Sequence, residues 1–407
     1  MINAKAGMYN WSGPGTVRMI NLKYPGDTIN SKSVLGAYEY ENLRHAKEKL
    51  NVTDAWVTYS WGFNPKTEQP DYKFLRSKLE NFHKLGIRVH AYVQGPNLVL
   101  DDHQDRDYYC RTYNGGLIPY HRGRKMACVN NPYFNKYIRF KIGLALKEEV
   151  DGVFVDNCYF GQMPLMVGNK NVSFFGCNCK YCQKKFKNTS GFNIPKYFKI
   201  DSDVYRAYKK FRIESLMGFV KDLSKQIKDA GKYFGVNTFD PKFDSNFYYG
   251  VDLQQMNDLV DYFLFENHAL PRKNNNNVHL ESLIKELKKP VFIVSYKQGI
   301  GQEDIFRQND FNAIHTEGLK IGYKPCYKSS EFTTKGEWFN LDFASLDVVK
   351  ELSDLLIETI DHPPIKQLKF PLLTPFYNKI YPPLLEKYFE NMTMRKIGNK
   401  FFYSALR

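Results

Sequence analysis

A chain of 407 residues, 43% hydrophobic and 16% aromatic, can bury a sizeable core, which excludes a disordered protein and fits one large α/β domain with a small appendage. The formal charge of +15 comes from lysines and arginines scattered along the whole length, a solvated basic surface rather than the repeated basic and aromatic stripe of a nucleic-acid groove; acidic glycans or other anionic surfaces would suit it as partners. No apolar run reaches membrane-span length, and the N-terminus Met1-Ile-Asn-Ala-Lys-Ala-Gly7 has no apolar signal core, so a soluble, cytoplasmic protein is expected, with no membrane or nucleic-acid partner and with a homo-oligomer left open.

Gly7-Met-Tyr-Asn-Trp11 reads as a short aromatic strand, broken at once by Ser12-Gly-Pro-Gly15. A helical pattern over 43–50 precedes a second strand, Ala55-Trp-Val-Thr-Tyr-Ser-Trp61, rich in β-branched and aromatic residues. A helix over 72–85 leads to a strand over 87–93, closed by Gln94-Gly-Pro96, and a helix over 132–146 leads to Val153-Phe-Val155. A long helix over 204–230 then leads to a strand over 233–239. Three further helix–strand pairs end in strands over 262–266, 291–296 and 319–323, and a last amphipathic helix covers 346–360. Eight strands, each followed by a helical stretch, predict a (β/α)8 TIM barrel over residues 1–362. After Pro363-Pro364 the proline-rich pattern of 363–407 predicts a small β-rich C-terminal extension.

Polar residues at the carboxyl ends of barrel strands converge on one face, so those ends nominate the pocket. Asp156 ends the fourth strand and Glu266 the sixth, each after a run of large apolar residues. Around them the sequence offers Trp11, Trp61, Tyr92, Asn157, Asn237, His268 and Lys297 as substrate-binding groups, that is, stacking faces, amides and charges of the kind sugar rings need. Paired carboxylates with aromatics form a glycosidase composition acting on an oligosaccharide or glycoconjugate. The same groups also have plain uses: an Asp-Asn pair at a strand end is a common cap or turn, and Glu266 has Arg272 and Lys297 nearby in sequence. A barrel that binds carbohydrate without cleaving it would keep the aromatics and have no need of Glu266.

Seven cysteines, an odd number with Cys177, Cys179 and Cys182 inside six residues, fit a reducing compartment and a metal better than a disulfide framework. Three thiolates with no histidine suit a structural zinc in the loop at about 158–200, with Cys128 or Cys158 as the fourth donor.

Three motifs in order, Cys128-Val-Asn130-Asn-Pro132 with Tyr137, then Asp151-Gly152 with Asp156-Asn157, then Cys177-Asn-Cys179-Lys-Tyr-Cys182 with Phe186, resemble the zinc-bearing (β/α)8 glycoside hydrolases, namely the family 42 β-galactosidases and the families described as glycosyl-hydrolase-like. The resemblance covers about sixty residues tightly. It implies a structural zinc held by four cysteines, with Cys128 as the fourth ligand and Cys158 free. It breaks at the catalytic positions, where those enzymes carry an Asn-Glu pair after strand four and a glutamate after strand seven; here stand Asn157-Cys158 and Lys297. In this respect the chain is similar to retaining α-glycosidases, which implies Asp156 as nucleophile and Glu266 as acid/base. On that analogy Asp156 is expected to stay ionised, helped by Asn157 and Lys297 or Arg124, and Glu266 to be protonated at rest after the apolar Phe263-Leu-Phe265.

Overall fold

The computed structural model describes residues 3–328 except 11, 24–30, 105, 121–122, 168–169, 239–243, 268–277 and 296–307. Trp11, His268, Lys297, the helix predicted at 346–360 and the extension at 363–407 therefore lie outside the described residues.

Eight parallel strands form a closed barrel: β1 (Ala6–Asn10), β2 (Val52–Ser60), β3 (Arg88–Gln94), β4 (Gly152–Asp156), β5 (Tyr233–Val236), β6 (Tyr262–Asn267), β7 (Val291–Ser295) and β8 (Lys324–Lys328). Neighbours in sequence are neighbours in space, and β8 pairs back onto β1. Among the helices that wrap it, α1 (Pro14–Lys23), α2 (Ser31–Gly36), α3 (Tyr40–Leu50), α4 (Pro65–Lys84), α5 (Pro132–Ala145), α6 (Lys180–Ser190) and α7 (Asp203–Asp229) position the site. No helix among the described residues is long and apolar enough to cross a membrane.

The strands form here because their runs are apolar on both faces, as a sheet covered by helices outside and packed within requires. Two-residue alternation sends Tyr9, Trp56, Tyr92, Phe154, Tyr262, Leu264 and Phe292 into one interior cluster, while Val57, Val89, Val153, Val155 and Phe263 join the strand–helix layer. Large interior rings need small neighbours. A Cβ added to Gly235 on β5 would come within 2.0 Å of the Tyr262 ring. Gly235→Ala is therefore expected to lower stability by about 1–3 kcal/mol through overpacking, in a denaturant melt, and the added Tyr262→Leu should recover part of the loss.

The first strand ends ahead of Ser12-Gly-Pro-Gly15, as expected, and that segment then starts a helix. Pro14 takes the first position of α1, where its missing N–H is no loss, and Gly15 and Thr16 donate their N–H groups to the buried Asp71 carboxylate at 2.7 and 3.0 Å. The eighth strand begins later than the apolar run at 319–323 predicts. Leu319 and Ile321 complete the helix Gln308–Ile321, Gly322 turns with φ 99°, and β8 follows. Pro325 within β8 hides that strand from a reading that demotes prolines.

Candidate functional site

The inward parity that places Gly152 and Phe154 inside the barrel also turns Asp156 inward at its carboxyl end, and the same parity carries Gln94, Asn237 and Glu266 to that rim. Asp156 is 2% exposed and accepts three side-chain hydrogen bonds: from the Tyr92 hydroxyl at 2.5 Å, from Asn157 Nδ2 at 2.5 Å and from Asn237 Nδ2 at 2.8 Å. The same Asn237 Nδ2 lies 3.0 Å from Glu266 Oε1. One amide nitrogen thus bridges the two carboxylates, and the bridged oxygens lie within about 6 Å of each other.

The backbone around Asp156 is pinned as tightly as its side chain. Gly95 donates its N–H to the Asp156 carbonyl at 2.8 Å, and Cys158 donates to the Asn237 carbonyl at 2.7 Å. A Cβ on Gly95 would lie 2.1 Å from the Asp156 carbonyl oxygen, so only glycine fits there. Asn157 sits in the left-handed region with φ 54°, a conformation asparagine tolerates better than most residues, and this turns its amide back onto Asp156.

The Asp156 carboxyl, expected to stay ionised, is pushed up to about 7, first by burial and then by the negative charge of Glu266, against the pull of Tyr92, Asn237 and Arg124. Phe263 and Phe265, which precede Glu266 in sequence, belong to the other face of its strand, and Glu266 is only partly buried. Arg124 reaches the site from the loop after β3. Its Nη1 donates to Gln94 Oε1 at 2.5 Å, and its guanidinium stacks between the rings of Trp61 at 4.0 Å and Tyr120 at 4.6 Å. Trp61, nominated as a stacking platform, is 2% exposed and carries that guanidinium on its ring. Tyr92 is a hydrogen-bond donor to Asp156, a role that its place inside β3 explains.

Tyr120 was legible only as one tyrosine among 29, because it lies in an irregular loop with no periodicity to place it. Beneath the loop that carries Trp61 lies a buried pair absent from the sequence reading. Glu68 on α4 takes the N–H groups of Trp61, Gly62 and Phe63 on Oε1 at 2.8, 3.0 and 2.9 Å, and it pairs through Oε2 with Lys141 on α5.

The second cluster lies behind β4. The Sγ atoms of Cys128, Cys177, Cys179 and Cys182 are all buried and lie within 4.8 Å of one another, with Cys128 3.4 Å from Cys182 and 3.5 Å from Cys179. Sulfurs about 2.3 Å from one tetrahedral ion stand about 3.8 Å apart, so this donor set fits a metal. Cys158 is not in the group; its thiol faces the Val155 carbonyl at 3.5 Å. The fourth thiol of the group is that of Cys128, brought to the other three because it lies in the turn that opens α5, while Cys179 caps the start of α6. Gln162 and Gly176 exchange backbone hydrogen bonds at 2.7 and 2.6 Å, tying the loop that leaves Asp156 to the residue before Cys177.

A closed parallel barrel with carboxylates at the strand ends defines the class of fold. No family model matches the chain, and no curated protein matches it in sequence. In structure it is similar to the α-L-fucosidase isoenzyme 2 of Paenibacillus thiaminolyticus, with 12% identity and a TM-score of 0.53 over 88% of this chain and 50% of that one. It is similar also to β-galactosidases of Marinomonas ef1 (10% identity, TM-score 0.54, 87% of this chain and 61% of that one) and Rahnella sp. R3 (13%, 0.54, 87% and 56%). The chain thus spans about half to three-fifths of the length of these proteins. At such identities the likeness establishes the (β/α)8 barrel.

Proposed function

We propose that the chain is a glycoside hydrolase acting on an oligosaccharide or glycoconjugate, with Asp156 and Glu266 as its working carboxyl pair and retention at the anomeric carbon. The observation that carries this reading is the Asn237 bridge. It holds one oxygen of each carboxylate within about 6 Å of the other, which supports the close separation of about 5–5.5 Å that double displacement uses over the 6.5–9.5 Å that leaves room for an inverting water. In the first step Asp156, ionised, attacks the anomeric carbon while Glu266 gives its proton to the departing oxygen. In the second, Glu266 takes a proton from water, which displaces Asp156 from the sugar. Tyr92, Asn157 and Asn237 fix the attacking oxygens.

The raised proton affinity of Asp156 supports a second reading with the roles exchanged, Asp156 as acid and Glu266 as nucleophile. The decisive assay uses aryl α- and β-glycosides with Asp156→Gly and Glu266→Gly. Turnover in both variants should fall by on the order of 10³-fold or more, and added azide should give a glycosyl azide of inverted configuration from the nucleophile variant and one of retained configuration from the acid/base variant. Unchanged turnover in either variant would remove that residue from the mechanism.

The knuckle, on the same footing, holds a structural zinc. Cys128, Cys177, Cys179 and Cys182 would fill all four positions, leaving none for substrate, so the ion would brace the loop after β4 and take no part in bond cleavage.

A further inference from the structure

We infer that Asn130 and Lys185 are positioning residues for the metal centre, built to hold the Cys182 thiolate and slow the loss of its ion; this rests on the zinc reading above. Asn130 follows Cys128 by two residues. Its Nδ2 donates to Cys182 Sγ at 3.3 Å and to Ser215 Oγ at 3.0 Å, and its Oδ1 accepts from Lys185 Nζ at 2.8 Å. The amide orientation follows from those neighbours: turned over, it would set an oxygen against a thiolate and an NH2 group against an ammonium.

The network ties three separate elements, the turn before α5, α6 through Cys182 and Lys185, and α7 through Ser215. Lys185 follows Cys182 by three residues on α6, which puts the ammonium on the same side of the helix as the sulfur. Four thiolates around one divalent ion leave two net negative charges in a buried site, where uncompensated charge is costly. An N–H on the sulfur, itself polarised by an ammonium, offsets part of that charge and holds the sulfur in place for the ion. Groups behind a ligand commonly carry 10–100-fold in metal affinity.

The test uses the full chain carrying zinc and follows release of the ion to a chromophoric chelator. Asn130→Asp keeps the shape but replaces the donor by an oxygen facing sulfur, and release should be about 10–100-fold faster. Lys185 is exposed, so Lys185→Gln leaves the fold alone; release should be several-fold faster at low salt, with the difference shrinking at high salt. With cobalt(II) in place of zinc, both variants should shift the thiolate-to-metal charge-transfer band. Wild-type release from Lys185→Gln and Asn130→Asp, with unshifted cobalt spectra, overturns the inference while leaving the metal centre standing. A wild-type chain with no stoichiometric zinc by elemental analysis overturns the zinc reading and this inference with it.

Discussion

Replacing Asp156 by asparagine is expected to abolish turnover and, in the same protein, to remove the Asp156 share of the stability lost between acid and neutral pH, a share that the buried Asp71, also pushed up to about 7, matches. The carboxyl titrates near 3.8 when free and is pushed up to about 7 in the folded chain by burial and by Glu266. Below the lower midpoint both states carry the proton and the group is neutral to stability. Between the midpoints the unfolded chain releases the proton and the folded chain keeps it, so stability falls by about 1.4 kcal/mol per pH unit, levelling off above the upper midpoint. The full effect is on the order of 4 kcal/mol. Asparagine cannot ionise, so the variant's slope from pH 4 to 7 should be shallower by that amount, the contribution of Asp71 remaining; comparing slopes sets aside the constant cost of its altered hydrogen bonds. Equal slopes for the two proteins would mean that Asp156 is ionised throughout. In activity, an Asp156 nucleophile gives kcat/KM that rises with pH through about 7, and Glu266→Gln should move the Asp156 midpoint down by removing the charge that raises it.

The largest effect on stability is expected at Glu68. Burial drives its carboxyl up and the Lys141 ammonium down, each toward its neutral form, while their mutual attraction opposes both shifts. Removing one partner leaves the other uncompensated in the interior, and Lys141→Met alone should cost about 3–5 kcal/mol. Many buried pairs can be replaced together by apolar residues without loss. This one should not be, because Glu68 also takes three consecutive N–H groups, from Trp61, Gly62 and Phe63, and the Ser60 hydroxyl at 3.0 Å. In Glu68→Leu/Lys141→Met those donors stay buried and unpaired, at about 1–3 kcal/mol each. Urea unfolding of the single and double variants decides the matter, and recovery of wild-type stability in the double variant would reduce Glu68 to a simple ion-pair partner. The Trp61 turn should also loosen and free Arg124 from its stack, lowering kcat/KM in any variant that still folds.

The barrel was legible because its signal is repeated: alternating apolar strands and 3.6-residue helices recur often enough that misplacing the last strand by a few residues did no harm. Convergence of Asp156, Asn237 and Glu266 was legible for the same reason, since parity along a strand fixes which side chains reach the interior. Protonation was not. Phe263 and Phe265 precede Glu266 in sequence but point away from it, so neighbours along a strand say little about a carboxyl's surroundings. Asp156 is pushed up by burial and by Glu266 and pulled back by Tyr92, Asn237 and Arg124, surroundings that no window along the chain contains. Glu68 and Lys141 lie 73 residues apart on two outer helices, and only packing reveals that they share a cavity. Cys128 was reachable through the motif resemblance, whereas its partner Asn130 needed the geometry to acquire a role.

The four sulfurs also have a topological meaning. Cys128 and Cys177 stand on either side of β4, so an ion joining them closes a loop of about 50 residues that contains the strand bearing Asp156. Such a cross-link removes chain entropy from the unfolded ensemble worth about 4 kcal/mol at room temperature, whatever contacts it makes in the folded one. While the clasp is shut, β4 cannot peel away from β3 and β5 as an independent unit. Amide exchange along Val153, Phe154 and Val155 would then be timed by departure of the ion rather than by breathing of the barrel wall.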